Sequence, residues 1–284
     1  MGDRICLLWR VFLYNLQSLG EFVMYIAAFI SNNFVVITLV CIALSIALMF
    51  LIRKGFGLQS LRYHHEVSDP LLACVGTLFA VLLGFMVANA MNRYDQARLN
   101  IEQEAGALGD IFRLAGGLKD GEKIERDCLA YADVVMNEGW ADLEKRKMNE
   151  HAWNAYGQIW QDVLNYNPGT QRESNIHQSM LEGCTHLGDA RRIRATQLNY
   201  QLPPILWAVV ILGAIATAIL AHFFGIHHTF WQIATNTLVT IVLCLNVFLL
   251  ASFDDPFSGI IRLQPIPFQV ARDSFQKVLD KRMK

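Results

Sequence analysis

Charge is scarce in this 284-residue chain: only 17% of its residues are Asp, Glu, Lys or Arg, where a soluble domain carries about 25%. Hydrophobic residues make up 54% and mean hydropathy is +0.30, so the deficit points to a membrane protein with a soluble remainder. A net charge of −1 excludes bulk electrostatic attraction to nucleic acid. Catalytic signatures are missing too. The chain has no Walker loop, no glycine-rich dinucleotide loop after a strand, no HExxH and no GxSxG, and we read no enzyme in it. The six cysteines, Cys6, Cys41, Cys74, Cys128, Cys184 and Cys244, contain no CxxC pair; they read as small apolar filler, not as a disulfide framework or zinc cluster. There is no strand periodicity and no internal repeat. The start, MGDRICLLWR, shows neither the basic region nor the small-residue cleavage site of a removable signal.

What the chain does have is long apolar runs. FVVITLVCIALSIALMFLI, from Phe34 to Ile52, carries no charge and is long enough for a hydrocarbon core of about 30 Å. A second span covers about 71–91, a third runs from Pro203 to Phe224 with its prolines in the tolerated first turn, and a fourth covers about 229–253. Residues 1–33 are apolar but interrupted by Arg10, Asn15, Gln17 and Glu21, which favours an interfacial amphipathic segment over a fifth span. Four spans put the N-terminus, the 93–202 insert and the 254–284 tail on one side. All but three of the 24 Lys and Arg lie there, the exceptions being Arg53, Lys54 and Arg62. The basic residues close to the membrane, among them Arg93, Arg98, Arg191, Arg192, Arg194 and Arg262, make that side cytoplasmic.

The insert reads as helix throughout. Apolar residues at Ile101, Leu108, Ile111, Phe112, Leu114 and Leu118 keep helical spacing, and AGGLKDGEK (115–123) interrupts them. Helices over 122–147, 149–165 and 172–200 are expected, with NYNPGT as a turn. Trp140, Trp153 and Trp160 are expected to anchor the core. Glu102, Glu104 and Asp110 on one helix and Arg191, Arg192 and Arg194 on another suggest exposed ion pairs, worth about 0–1 kcal/mol each, that help pack the cytoplasmic helices or else line a vestibule.

The second span repays a face-by-face reading. In steps of four, Gly76, Ala80, Gly84 and Ala88 form a ladder of small residues. Such a ladder permits close backbone contact in lipid, either within one subunit or around a ring of copies. One residue further on, Thr77, Val81, Phe85, Asn89, Asn92 and Gln96 form a stripe, apolar at mid-membrane and polar toward the cytoplasm. Amides at that depth need a partner or water. The stripe is either a helix seam or the wall of a pore whose neck, at Val81 and Phe85, gates by dewetting. No stop signal separates this span from the charged helix after it.

Two further clusters stand out. His64, His65, Glu66, Asp69, His222, His227 and His228 gather on the extracytoplasmic side. Imidazoles with carboxylates suit a divalent metal or a proton sensor at an outer mouth, while polar loop residues at headgroup level explain them equally. Asp254 and Asp255 stand beside a Pro-Phe turn, where capping accounts for them.

The run LGFMVANAMNRYDQAR resembles the pore helix of bestrophins. The longer RYDQARLNIEQEAGALGDIFRLA, from Arg93 to Ala115, is similar to bacterial bestrophin-like proteins, as are HHE before the second span, Leu202-Pro203 before the third and DDPFSG, Asp254 to Gly259, after the fourth. The resemblance covers about residues 34–270. It implies a pentameric ion channel whose second span lines an axial pore, with Thr77, Val81 and Phe85 as the neck and Asn89, Asn92 and Gln96 lining the pore inward of it. Bestrophins bind calcium at an acidic run after the fourth span; SGIIRLQP stands there in this chain, so that site does not carry over, and the sign of the conducted ion does not either.

The expectation is therefore an all-α integral membrane protein of a bacterial inner membrane, with four spans, both termini cytoplasmic, and a helical cytoplasmic domain. It would form a symmetric homo-oligomer with itself, membrane lipids and small inorganic ions as partners, and no cofactor beyond a possible divalent metal. The rival expectation is a non-conducting scaffold or sensor whose cytoplasmic helices bind a partner.

Overall fold

The structure, a computed structural model, describes residues 33–56, 65–199, 201–223 and 228–282, with backbone alone at 56 and 65–69. The described residues contain helices and no strand. In chain order these are α1 (Phe34–Phe56), α2 (His65–Ala115), α3 (Glu122–Val134), a π-helical turn (Val135–Gly139), α4 (Trp140–Glu144), α5 (Glu150–Asn165), α6 (Gln171–Gln197), α7 (Pro204–His222), α8 (Thr229–Asp254) and α9 (Ile266–Arg282). Four of them, α1, α2, α7 and α8, are long and apolar enough to cross a membrane. The proposed interfacial segment before residue 33 lies outside the described residues.

The chain divides into two compact units. The first holds the described residues up to Asn92 and those within 202–255, with 259–261, and contains the apolar helices. Its core joins Phe79, Leu83, Met86 and Ala90 of α2 with Trp207 and Val210 of α7 and Leu250 and Ala251 of α8. Gly213 lets α7 approach α2 closely, for a Cβ there would overlap the Phe79 ring. The second unit holds residues 93–201, 256–258 and 262–284. Its core runs from Ala97, Ile101 and Leu108 of α2 through Tyr131, Trp140, Ile159 and Met180 to Phe268 and Phe275 of α9. Phe112 stacks on Phe275 with ring centroids 4.1 Å apart.

Local chemistry explains where the helices stop. Pro203 and Pro204 open α7, where a missing N–H costs nothing. Asn149 caps α5 by accepting from the Ala152 N–H at 2.9 Å. Thr170 caps α6 by accepting from the Glu173 N–H, while Glu173 reaches back to the Gly169 N–H at 2.8 Å, a reciprocal cap. The helix expected over 122–147 ends earlier, at Glu144. Arg146 takes the left-handed φ of 58°, and the N–H groups of Arg146 and Lys147 close back on the carbonyls of Leu143 and Asp142. That closure is usually made with glycine, so nothing in the residue type announced it.

Candidate functional site

α2 runs from His65 to Ala115, through its apolar stretch and on through its charged one. The residues it buries, Phe79, Leu83, Met86, Ala90, Ala97, Ile101 and Leu108, recur at three, four and seven and so occupy one face. The other face is open. Val81 is 53% and Phe85 74% exposed, and Thr77, Asn89, Asn92 and Gln96 are exposed as well. Ala80, Gly84 and Ala88 are likewise exposed and Gly76 is half-buried; a Cβ added at Gly76 or Gly84 would meet nothing within 4 Å. Among the described residues, then, nothing fills the space beside the ladder's two glycines. Small residues leave a groove there that no described residue fills. From Thr77 to Asn92 the open face carries no ionisable side chain. Its amides offer both donors and acceptors.

Buried polar groups tie the spans of the first unit together, and two of these ties were not foreseen. The Asp254 carboxylate accepts from the Leu202 N–H at 2.8 Å and from the Trp207 indole N–H at 3.1 Å, clasping the first turn of α7 to the last of α8. The Leu-Pro and acidic-Pro-Phe motifs are thus two halves of one joint. For Asp254 the role expected was capping, and this is capping across 52 positions of chain. His222, expected among polar loop residues, is instead buried: Nε2 stands 2.8 Å from the Ser45 carbonyl oxygen and 3.1 Å from its Oγ, and Nδ1 is 2.5 Å from the Ala218 carbonyl. The Thr240 hydroxyl reaches the same Ser45 Oγ at 3.1 Å. The recurrence of Gln232, Asn236 and Thr240 in steps of four on α8, all buried, is the signal in the sequence that such a seam exists.

Of the proposed metal group, His64 and His227 lie outside the described residues, the side chains of His65, Glu66 and Asp69 are not described, and His228 is exposed. Among the described residues no three His, Cys, Asp or Glu are placed to hold a metal ion.

The second unit departs from the expected exposed ion pairs. Glu104 and Arg194, 0% and 2% exposed, meet at 3.0 Å, and the Tyr131 hydroxyl donates to the same Glu104 Oε1 at 2.5 Å. Burial, and then the Glu104 carboxylate, push the Tyr131 phenol well up, so it keeps the proton it donates. Glu102 pairs with Arg98 at 3.8 Å and Asp110 with Arg113 at 2.7 Å, both along their own helix. Arg192 pairs with Asp189. Trp140 is a core anchor whose indole donates to the Leu263 carbonyl at 2.9 Å; Trp160 is half-buried, and Trp153, at 58% exposure, is no anchor.

Three comparisons bear on this arrangement. The family described as bestrophin-like domain matches residues 39–268. Among solved structures, a bacterial bestrophin homologue from Klebsiella pneumoniae carrying a point mutation superposes with a TM-score of 0.65 at 11% identity, over 84% of this chain and 98% of that one. A second mutant form gives a TM-score of 0.63 at 12% identity over 84% and 95%, and a further structure of the homologue gives 0.62 at 12% over 84% and 96%. At such identity the likeness is one of fold. The chain matches no curated protein.

Proposed function

The chain belongs to the bestrophin-like family, and on that premise we propose that it is the subunit of an oligomeric channel that passes small ions passively along an axis lined by α2. The observation that carries the reading is the open face of that helix. Phe85 and Val81 stand exposed on the face opposite the buried stripe, in register with Asn89, Asn92 and Gln96. An exposed apolar ring followed by amides is what a dewetting neck and a hydrated inner passage require. Beside it, the Gly76–Ala80–Gly84–Ala88 ladder supplies the close-contact surface on which copies of α2 would meet. Five copies is the family-like number, and a bacterial inner membrane with both termini cytoplasmic is the orientation that the basic residues favour.

Purified protein in liposomes, loaded with potassium chloride and assayed by ion flux, tests this. Phe85→Ala should raise flux several-fold by widening the neck, because a narrower apolar ring excludes water more strongly. Absence of flux from both the wild type and the variant, across pH and divalent-metal conditions, would sink the channel reading and leave the scaffold.

A further inference from the structure

We propose that the cavity beside Arg191, in the second unit, is a binding site for a small monocarboxylate that has an apolar body. Arg191 is 2% exposed, and among the described residues no carboxylate pairs with it, in contrast to Arg194, whose partner is Glu104. Its Nη1 donates to the Ala152 carbonyl at 2.8 Å, and its Nε is buried with no partner. Together Arg191, Arg194 and Glu104 leave one positive charge over. Buried charges are ordinarily paired, because an unpaired one forfeits its hydration without return. Burial, and the neighbouring Arg194, act to lower the guanidinium's proton affinity. An anion supplied from outside the chain would reverse that tension.

There is room for one. A cavity of about 270 Å³ adjoins Arg191, walled by Met148, Trp153 and Ala195, with Asn149, Glu150 and Arg192 completing it. The guanidinium carbon lies 4.6 Å from the Trp153 ring centroid, a cation–π contact that holds its plane. α5, 16 residues long, begins here, with its first turn capped by Asn149.

The chemistry of the walls selects the anion. One unpaired cation calls for one negative charge. Glu150 at the cavity, with Asp189 already holding Arg192, opposes a second. Met148, Trp153 and Ala195 offer contact to an apolar body, which sulfate or phosphate lacks. Planar bidentate pairing with a guanidinium is the preferred geometry of a carboxylate.

Benzoate is the probe, with benzamide as its uncharged isostere and sulfate as the inorganic anion. Calorimetric titration of the full-length protein in detergent should show saturable benzoate binding, with benzamide and sulfate failing to compete. Arg191→Gln should weaken it about tenfold or more. Because that variant removes a buried group, Ala195→Phe serves as the second test: it fills the cavity, leaves the charge, and should weaken binding as much in a protein that elutes like the wild type. The assignment is overturned if folded wild type shows no saturable benzoate binding in the millimolar range, if Ala195→Phe binds unchanged, or if benzamide or sulfate competes as well as benzoate.

Discussion

At the residue scale, the groups that matter most are charges shut away from water. Glu104 and Arg194 are such a pair; breaking a buried pair costs about 3–5 kcal/mol because the survivor is left uncompensated. Arg194→Leu is therefore expected to lower the midpoint of chemical unfolding sharply. Adding Glu104→Leu should restore much of it, since two well-packed apolar residues carry no desolvation penalty. Asp127 offers a pH-dependent case. Burial, and then the facing Asp162 carboxyl, raise it from an ordinary 3.8 to about 7. A carboxyl raised on folding favours the folded state while it is protonated. Its contribution is complete below about 3.8 and is lost as pH rises through about 7. Asp162, whose burial is outweighed by its hydrogen bonds with Asp127 and Lys123, is held low; its contribution is present above about 3.8 and is lost only as pH falls below that. Unfolding followed from pH 5 to 8 should thus show wild-type stability falling, whereas Asp127→Asn falls less over that window and is the more stable at pH 8.

At the scale of elements, the joints between helices are narrow and specific. The Asp254 carboxylate serves the Leu202 N–H and the Trp207 indole at once. Asp254→Asn keeps the shape but can accept from only one of them well, and a buried donor left without a partner costs about 1–3 kcal/mol. Thermal unfolding should register that loss, and the indole fluorescence of Trp207 should change with it. Where α7 crosses α2, Gly213 faces the Phe79 ring with no room for a Cβ. Gly213→Ala is expected to destabilise by about 1–3 kcal/mol through overpacking. Phe79→Leu in the same chain should recover part of it, a coupling readable from a double-mutant cycle.

For the whole molecule, the open face of α2 sets the expectation. Among the described residues a Cβ at Gly84 would meet nothing within 4 Å, so Gly84→Leu should leave the subunit folded. If copies of α2 meet along the ladder, the same change forces their backbones apart. Light scattering of the detergent-solubilised variant should then report a smaller assembly than the wild type, with helical content unaltered. A variant that assembles like the wild type would move the contact elsewhere on the subunit.

Much of this protein was legible in residue order alone, because the physics involved is local. Apolar length decides which segments tolerate hydrocarbon, which is why four spans emerge from runs such as Phe34–Ile52, and prolines mark the helix start at Pro203. The grouping of Thr77, Val81, Phe85, Asn89 and Asn92 on one side of α2 follows from 3.6 residues per turn and nothing else. What no period along the chain carries is the identity of a helix's neighbour. Whether the ladder is covered, whether Glu104 meets Arg194 90 positions away, and whether Asp254 caps its own turn or the start of α7 depend on which helices pack together. Burial then separated residues that look alike: Trp140 in the core from Trp153 at the surface, His222 bonded inside from His228 outside. Tertiary structure alone decided these, since the worth of a charge or an indole is set by the dielectric and the partners around it, not by its place in the sequence.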